Sequence, residues 1–185
     1  MTRLVGISGS LRKASFNTAL LRAAVGLVPD GTTLDAHTIH GIPLYDADLE
    51  REQGTPEAVF RLKQAILAAD GLLLVTPEYN NSMPGVFKNA VDWLSSPTPG
   101  VPDVFRNRPV AMIGASPGGF GTILSQNAWL AVLRTLATRP WLEGRLLVSH
   151  ARTVFDEAGA LKDAKVEDQL RQFLKGFSAF AAAKG

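Results

Sequence analysis

The sequence predicts an α/β fold in which helices cover both faces of a doubly wound, five-stranded parallel sheet. Short apolar runs rich in β-branched residues alternate with longer segments of helical periodicity, and this alternation is typical of βαβ units. Hydrophobic residues make up 46% of the chain and charged residues 19%, which suits a globular domain. The length of 185 residues fits one domain, so we expect residues 1–185 to form a single unit.

The strands are predicted from short apolar or β-branched runs bounded by turn-forming residues. They are Arg3 to Ile7, Thr33 to Ile39, Gly71 to Thr76, Val110 to Gly114 and Arg145 to Ser149. In an open parallel sheet, ligands bind beyond the carboxyl ends of the strands where the winding reverses. The loops after the first, third and fourth strands are therefore the candidate site.

Helical periodicity fills the segments between the strands and after the last one. The predicted helices are Thr18 to Val28, Glu57 to Ala69, Val86 to Leu94, Ile123 to Thr138 and Val166 to Ala183. The last carries an apolar stripe that indicates packing on the core or on a second subunit. Ile42 to Gly54 has no clear period and is predicted as a long excursion, and Ser95 to Pro102 is predicted as a loop.

Composition narrows the functional classes. The chain has no cysteine, so disulfides, thiolate metal sites and a cysteine nucleophile are excluded, and redox chemistry would need a bound cofactor. No run approaches the roughly 20 apolar residues of a membrane span, and there is no signal-peptide pattern. The net charge of +2 is too small to indicate nucleic-acid binding. We expect a cytoplasmic protein without membrane insertion or a nucleic-acid partner.

The first loop, Ser8 to Asn17, combines hydroxyls, an arginine and backbone donors at the start of a helix. Helix N-termini offer free N–H groups and a positive dipole end, and Ser, Asn and Arg add hydrogen bonds and charge, so the loop predicts a phosphate site. Gly9 would let the backbone turn closely beneath that anion. The sequence has neither the P-loop pattern nor the Gly-x-Gly-x-x-Gly fingerprint, which favours a monophosphate. The alternative is a capped turn in which Ser15 or Asn17 only starts the helix.

The second loop, Thr76 to Gly85, holds an aromatic residue among amides between two prolines. Such a segment at the carboxyl end of a strand is a candidate bed for a flat heteroaromatic ring, which needs a stacking surface and edge-on hydrogen bonds. The alternative is an ordinary polar turn with Tyr79 half buried. Glu78 is expected to face its own loop or solvent, because a carboxylate would disfavour an anionic ring.

The third loop, Gly114 to Gly121, contains glycines that would let the backbone approach a ligand. It also matches the Gly-x-Ser-x-Gly elbow of hydrolases, with Ser116, Glu143 and His150 in the order of a triad. Pro117 argues against an esterase, because the residue after the nucleophile must donate an N–H whose loss costs on the order of 3 kcal/mol. His150 is expected to be a partly buried polar residue.

Two further histidines, His37 and His40, have i, i+3 spacing on or beside the second strand. They lie there without further ligands, so no metal site is predicted. The chain also has no residue that must act as a general acid or base, and no catalytic side chain is assigned.

Together the three loops make the chain resemble the NADPH-dependent FMN reductase family, flavodoxin-like enzymes that include quinone, chromate and azo-dye reductases. The matching segments are 9–17, 77–93 and 118–121. The resemblance implies that FMN is the cofactor, that NADPH or NADH donates hydride, and that a small-molecule electron acceptor receives it in a ping-pong reaction. It also implies a homodimer or homotetramer. Helix Val86 to Trp93 and the stretch around Trp129 are candidate contacts, and a core role for either tryptophan is the alternative.

The resemblance assigns cofactor-binding roles to particular residues. At the FMN phosphate these are Ser10, Arg12, Ser15 and Asn17, and around the ring they are Pro77, Glu78, Tyr79, Asn80, Ser82, Ser116, Gly118 and Gly119. Two other functions stay open: an electron-carrier flavodoxin that does not oxidise NAD(P)H, and a redox-sensing flavin module. Carrier flavodoxins are usually strongly acidic, so the net charge of +2 and Arg12 count against the first of these.

Overall fold

The computed structural model describes residues 1–183, which contain one parallel sheet. Its strands are β1 (Thr2–Ser8), β2 (Thr32–Thr38), β3 (Gly71–Val75), β4 (Pro109–Ala115), β5 (Arg139–Pro140) and β6 (Leu146–Val148). They lie in the order β2-β1-β3-β4, and β5 and β6 both pair with the remaining edge of β4. The chain winds from β1 outward to β2 and then crosses β1 to build the other half, so the doubly wound prediction is confirmed.

The fifth strand of the prediction is divided. Residues 139–140 pair with the start of β4 and residues 146–148 pair with its end. Between them the chain leaves the sheet so that the Trp141 side chain enters the core, where its ring lies 4.9 Å from that of Phe173. The predicted strand from Arg145 to Ser149 is therefore correct in place but too long, and the short β5 was missed.

The five predicted helices are present, with ends that differ by at most three residues. The helices are α1 (Phe16–Val25), α2 (Ala47–Gln53), α3 (Glu57–Leu67), α4 (Gly85–Ser95), α5 (Ile123–Thr135), α6 (Ala151–Val154) and α7 (Ala164–Ala182). The short α2 and α6 were not predicted. Within residues 1–183, no helix is long and apolar enough to cross a bilayer.

Two hydrophobic cores cover the two faces of the sheet. Side chains alternate along β3, with Leu73 and Val75 in one core and Leu72 and Leu74 in the other. α1 and α7 pack on the first face, and α3, α4 and α5 pack on the second. The apolar stripe of α7 is buried in the first core, which confirms the core alternative for that helix.

The two tryptophans that were candidate subunit contacts, Trp93 and Trp129, are fully buried within the chain. Trp93 donates from Nε1 to Pro43 O at 2.9 Å, and the Asn89 side chain bonds to Pro43 O and to Tyr45 N, each at 2.8 Å. The Asn89 and Trp93 positions of the family pattern thus hold the excursion after β2 against α4. α2, which begins after the N-cap Asp46, lies within that excursion.

Candidate functional site

The loops after β1, β3 and β4 converge because these strands end at one edge of the sheet. Ser8 lies beside Val75, and Val75 lies beside Ile113. Beyond these ends is a cavity of about 250 Å³. It is lined by Ser10, Arg12, Ser15, Phe16, Asn17, Pro77, Glu78, Tyr79, Ala115, Ser116, Pro117 and Arg152. The three candidate loops therefore form one site, as the switch-point rule predicts.

The first loop turns directly from β1 into α1. Ser15 is the N-cap, and its Oγ accepts from the backbone N of Asn17 at 3.2 Å and of Thr18 at 3.3 Å. Ser10 Oγ accepts from Arg12 N at 3.3 Å. The capping role suggested for Ser15 as an alternative is thus confirmed. The same two serines line the cavity, so capping and cavity lining coexist.

Asn17 joins the first loop to the end of β4. Its Nδ2 donates to Ala115 O and its Oδ1 accepts from Ala115 N, both at 2.9 Å, and the side chain is 4% exposed. A buried amide with both polar atoms paired is a rigid link. The side-chain oxygen and nitrogen of Asn17 therefore both position the loop. The sequence pattern did not reveal this structural role.

Gly9 is required by close packing and not by an unusual backbone angle. Its N–H donates to Val75 O at 2.9 Å, and a Cβ at this position would overlap the Phe87 ring of α4. The loop was expected to need glycine for approach to an anion. The contact that demands glycine is instead with Phe87 in the second core.

Two arginines give the cavity its positive charge. Arg12, from the first loop, is exposed and its guanidinium carbon lies 5.4 Å from the centre of the Phe16 ring, a distance suited to a cation–π contact. Arg152, from α6, lines the same cavity and was not predicted. Arg12 thus comes from the loop after β1, and Arg152 comes from the short helix after β6.

The second loop ends in a tight turn that places Tyr79 at the cavity mouth. Tyr79 and Ser82 exchange both backbone N–H···O bonds at 3.0 Å, and Asn80 and Asn81 between them have φ of 50° and 61°. Asparagine tolerates this left-handed region better than most residues. Tyr79 lines the cavity and is 48% exposed, so its ring is open to solvent at the mouth.

The base of the second loop rests on a buried polar network. Thr76 Oγ1 donates to Pro77 O at 2.9 Å, lies 2.9 Å from Ser125 Oγ and accepts from Trp129 Nε1 at 3.0 Å. Thr76 and Ser125 are completely buried. Because buried polar groups that are all paired hold a fixed geometry, α5 fixes the path of the loop from below.

The position of Glu78 differs from the expectation that it faces its own loop or solvent. Its carboxylate does not face only its own loop or solvent, because Oε2 accepts from Leu124 N at 2.9 Å and from Ser125 N at 3.1 Å. These N–H groups belong to the first turn of α5, whose N-cap Thr122 makes no side-chain cap bond. The negative charge is thus held at the positive end of a helix, and the second loop is fastened to α5.

The third loop does not contain a hydrolase triad. Ser116 Oγ donates to Gly118 O at 3.4 Å, and among residues 1–183 it forms no hydrogen bond to His150 or Glu143. His150 is exposed with φ of 49°, so the expectation of a partly buried residue is wrong. It also caps the turn through its backbone, with N–H donating to Gly118 O at 2.9 Å.

The predicted site residues separate into two groups. Ser10, Arg12, Ser15, Asn17, Pro77, Glu78, Tyr79 and Ser116 line the cavity, whereas Asn80, Ser82, Gly118 and Gly119 lie outside its lining. A Cβ at Gly118 would meet nothing within 4 Å, and one at Gly119 would meet only the His150 ring at 3.7 Å. Protein packing therefore gives no reason for these glycines, and open space adjoins them.

The two histidines of the second strand have structural partners. His37 Nε2 lies 2.8 Å from Asp35 Oδ2. His40 Nδ1 lies 3.1 Å from Thr38 Oγ1, and its Nε2 lies 3.1 Å from Leu11 O. His40 thereby supports the first loop from outside the cavity.

The cavity at the switch point, with serines and arginine at one end and an aromatic loop at the other, agrees with a match to a family model. Residues 2–153 match the model described as NADPH-dependent FMN reductase. The chain belongs to the NADPH-dependent FMN reductase family. This membership confirms the resemblance and the expected class, an FMN-dependent NAD(P)H oxidoreductase.

Relatives over nearly the whole chain agree with the family. An NAD(P)H-dependent FMN reductase of Pseudomonas aeruginosa is 44% identical over 173 residues, covering 94% of this chain and 91% of the relative. A 2-hydroxy-1,4-benzoquinone reductase of Burkholderia is 36% identical over 178 residues, covering 96% and 95%. Among solved structures, the flavoenzyme FerB of Paracoccus denitrificans, an NAD(P)H:(acceptor) oxidoreductase, superposes with a TM-score of 0.83 at 32% identity, covering 98% and 97%.

Proposed function

We propose that this protein binds FMN in the switch-point cavity, with the phosphate on loop 8–17 and the ring against residues 77–79, and reduces a small organic acceptor with NADPH or NADH. The observation that supports this orientation is the chemical asymmetry of the cavity. Ser10, Arg12 and Ser15 gather at the α1 end, and Pro77 and Tyr79 at the β3 end. An amphiphilic cofactor with one anionic and one aromatic end suits that arrangement.

The phosphate end supplies donors that are already oriented. The N-cap hydroxyl of Ser15, the hydroxyl of Ser10 and the start of α1 lie beside the cavity, and the Arg12 guanidinium adds a full positive charge. Because Asn17 ties this loop to Ala115, little ordering of the loop is needed when the anion binds. The chain therefore holds the cofactor by its phosphate.

The ring end positions the cofactor and leaves one side accessible. Pro77 is buried and restricts the backbone, whereas Tyr79 is 48% exposed at the mouth. Glu78 directs its charge to α5, so it does not oppose negative charge on a bound ring. When bound, FMN supplies the chemistry, accepting hydride from a nicotinamide and giving it to the acceptor.

Open access at the mouth suits reactants that occupy it in turn. Exposed apolar side chains, Tyr79, Phe120 and Leu124, lie on the second loop, the third loop and the start of α5. Flat hydrophobic acceptors match such a surface. The relatives named for benzoquinone and quinone reduction favour a quinone. Free FMN, chromate and azo compounds are further candidate acceptors.

We further propose a cytoplasmic homodimer or homotetramer. A shallow apolar groove of about 370 Å³ lies between α4 and α5 and includes Val91, Ala131, Val132 and Leu136. Burying such side chains against a second copy would remove them from water. We expect light scattering during size-exclusion chromatography to give the mass of two or four chains, and a monomer at micromolar concentration would contradict this.

The proposed reaction is tested on the flavin spectrum. The purified protein, loaded with FMN, is mixed with NADPH or NADH without oxygen, and absorbance near the flavin band is followed. We expect the yellow colour to bleach and then to return when a benzoquinone is added. A yellow protein that stays oxidised with both nucleotides would indicate an electron carrier or a sensor. A protein that takes up no FMN would contradict the phosphate site as well.

A further inference from the structure

Arg152 is a charged residue of the site cavity that lies outside every motif of the sequence. It lies on α6, directly after β6, and its side chain lines the same cavity as Ser10 and Arg12. Ala151 N donates to Ser116 O at 3.0 Å, which fixes the start of α6 against the third loop. The position of Arg152 therefore comes from the edge of the sheet and not from the phosphate loop.

The charge of Arg152 is not used within the protein. Of the ion pairs in residues 1–183, none includes Arg152. Asp156 follows four residues later, where an i, i+4 pair could form, but its Oδ1 accepts from Ala160 N at 2.7 Å. Arg152 is exposed to solvent and lines the cavity, so its charge is available to an anion there.

A phosphate monoester calls for more than one cation. It carries about 1.5–2 negative charges near neutral pH, and Arg12 supplies one positive charge. Lys13, the other cation of the first loop, lines a neighbouring cavity together with Asp156 and Glu157. Glu78, the other charged residue of the lining, directs its carboxylate to the start of α5. A phosphate in the cavity can therefore take a second cation, and Arg152 is the cation that the fold brings there.

We propose that Arg152 is a second cation for the phosphate of bound FMN, acting together with Arg12. This inference rests on the proposed function, because it requires FMN in the switch-point cavity. Its consequence is specific: Arg152 stabilises the complex through the phosphate and contributes little to the binding of the same ring without it. Arg152 is thus a cofactor-positioning residue supplied from the far end of the chain.

The test compares FMN with riboflavin, which has the same ring and sugar chain but no phosphate. Flavin-free Arg152→Ala is titrated with each compound, and quenching of flavin fluorescence gives Kd. We expect the Kd for FMN to rise about 10-fold to 100-fold, as for the loss of a charged hydrogen bond. The Kd for riboflavin should stay within about twofold. Arg152→Lys should recover part of the FMN affinity, because it keeps the charge.

Arg22→Ala is the matched control. Arg22 is an exposed arginine of α1 that lines the two neighbouring cavities and not the site cavity. Its substitution changes the net charge by the same amount near the same end of the molecule. We expect the Kd for FMN to change by less than about twofold, since a distant exposed charge is screened by salt.

Three results would overturn the proposal. One is wild-type affinity of Arg152→Ala for FMN, and another is an equal loss for FMN and riboflavin, which would indicate a changed cavity shape. The third is unchanged FMN affinity with a reduced preference for NADPH over NADH, which would assign Arg152 to the phosphate of the nucleotide. If the wild-type protein itself binds no FMN, the proposed function fails, and this inference fails with it.

Discussion

At the end of the cavity beside α1, where we propose that the phosphate binds, the serine and asparagine side chains are buried and bonded to the protein, whereas Tyr79 at the proposed ring end is exposed. Ser10, Ser15 and Asn17 are at most 5% exposed, but Tyr79 is 48% exposed. The difference matches two tasks. In the proposed function, one end would hold a group that stays in place, and the other would admit two reactants in turn.

The two ends are also supported differently. The phosphate end is joined to β4 through Asn17 and packs on α4 through Gly9. The ring end is supported from below by α5, through Thr76 and Glu78. Changes to the buried supports of the first end, Asn17 and Gly9, should therefore lower stability together with cofactor affinity. Changes at the second should act more weakly on both.

The largest effect is expected for Asn17→Ala, which removes the link between the first loop and β4. It leaves the buried N–H and C=O of Ala115 without partners, so we expect the free energy of unfolding to fall by about 2–4 kcal/mol. Urea denaturation of the flavin-free protein measures this. The exposed Asn127→Ala is the control, with a change of at most about 0.5 kcal/mol. Equal effects of the two substitutions would show that the link is not a structural support.

Arg12→Ala separates cofactor binding from stability at the same end. We expect FMN to bind more weakly by about 1.5–3 kcal/mol, because a charged hydrogen bond is lost. Since Arg12 is exposed, the free energy of unfolding without flavin should change by at most about 0.5 kcal/mol. Isothermal titration with FMN and urea denaturation measure the two quantities. Unchanged FMN affinity would refute the role of Arg12.

The same substitution at two glycines, Gly9→Ala in the first loop and Gly118→Ala in the third, compares a packed position with an open one. At Gly9 the new methyl would overlap the Phe87 ring, and overpacking of this kind costs about 1–3 kcal/mol. At Gly118 it would meet nothing within 4 Å, so we expect stability to change by at most about 0.5 kcal/mol. Thermal unfolding of the two flavin-free variants is the measurement. A destabilised Gly118→Ala would reverse the comparison.

The smallest effect is expected for Glu78→Gln at the ring end. The substitution keeps an acceptor for the N–H groups of Leu124 and Ser125 but removes the negative charge from the start of α5. We expect a loss of about 0.3–1 kcal/mol in the free energy of unfolding, the usual size of a charge–dipole term. FMN affinity should stay the same. A large loss of FMN affinity would mean that Glu78 contacts the cofactor and not only α5.

The hydrophobic periodicity of each segment was sufficient to predict the main strands and helices. It failed where a helix buries no apolar residues or where a strand is very short. α2 has no buried residue, so it gives no hydrophobic period. The N-cap Asp46 was the signal that could have revealed it. β5 and β6 are short and separated by the segment that inserts Trp141, so the sequence shows one run where the sheet has two pieces.

The site could be predicted only as far as chain-local motifs extend. Loops 8–17 and 77–82 were found because their residue types are unusual over a short span. The partners of Glu78 lie 46 and 47 residues away, and that of Asn17 lies 98 residues away. Arg152 reaches the cavity through the pairing of β6 with β4. Such contacts follow from the pairing of the strands and the packing of the helices, which residue spacing alone does not reveal.

A crystal structure of the FMN complex tests the central claim most directly. We predict that the FMN phosphate lies within hydrogen-bond distance of Ser10, Arg12 and Ser15, with the ring beside Pro77 and Tyr79. The reversed orientation, or FMN in the separate cavity beside Arg22 and Leu27 between α1 and α7, would contradict the account.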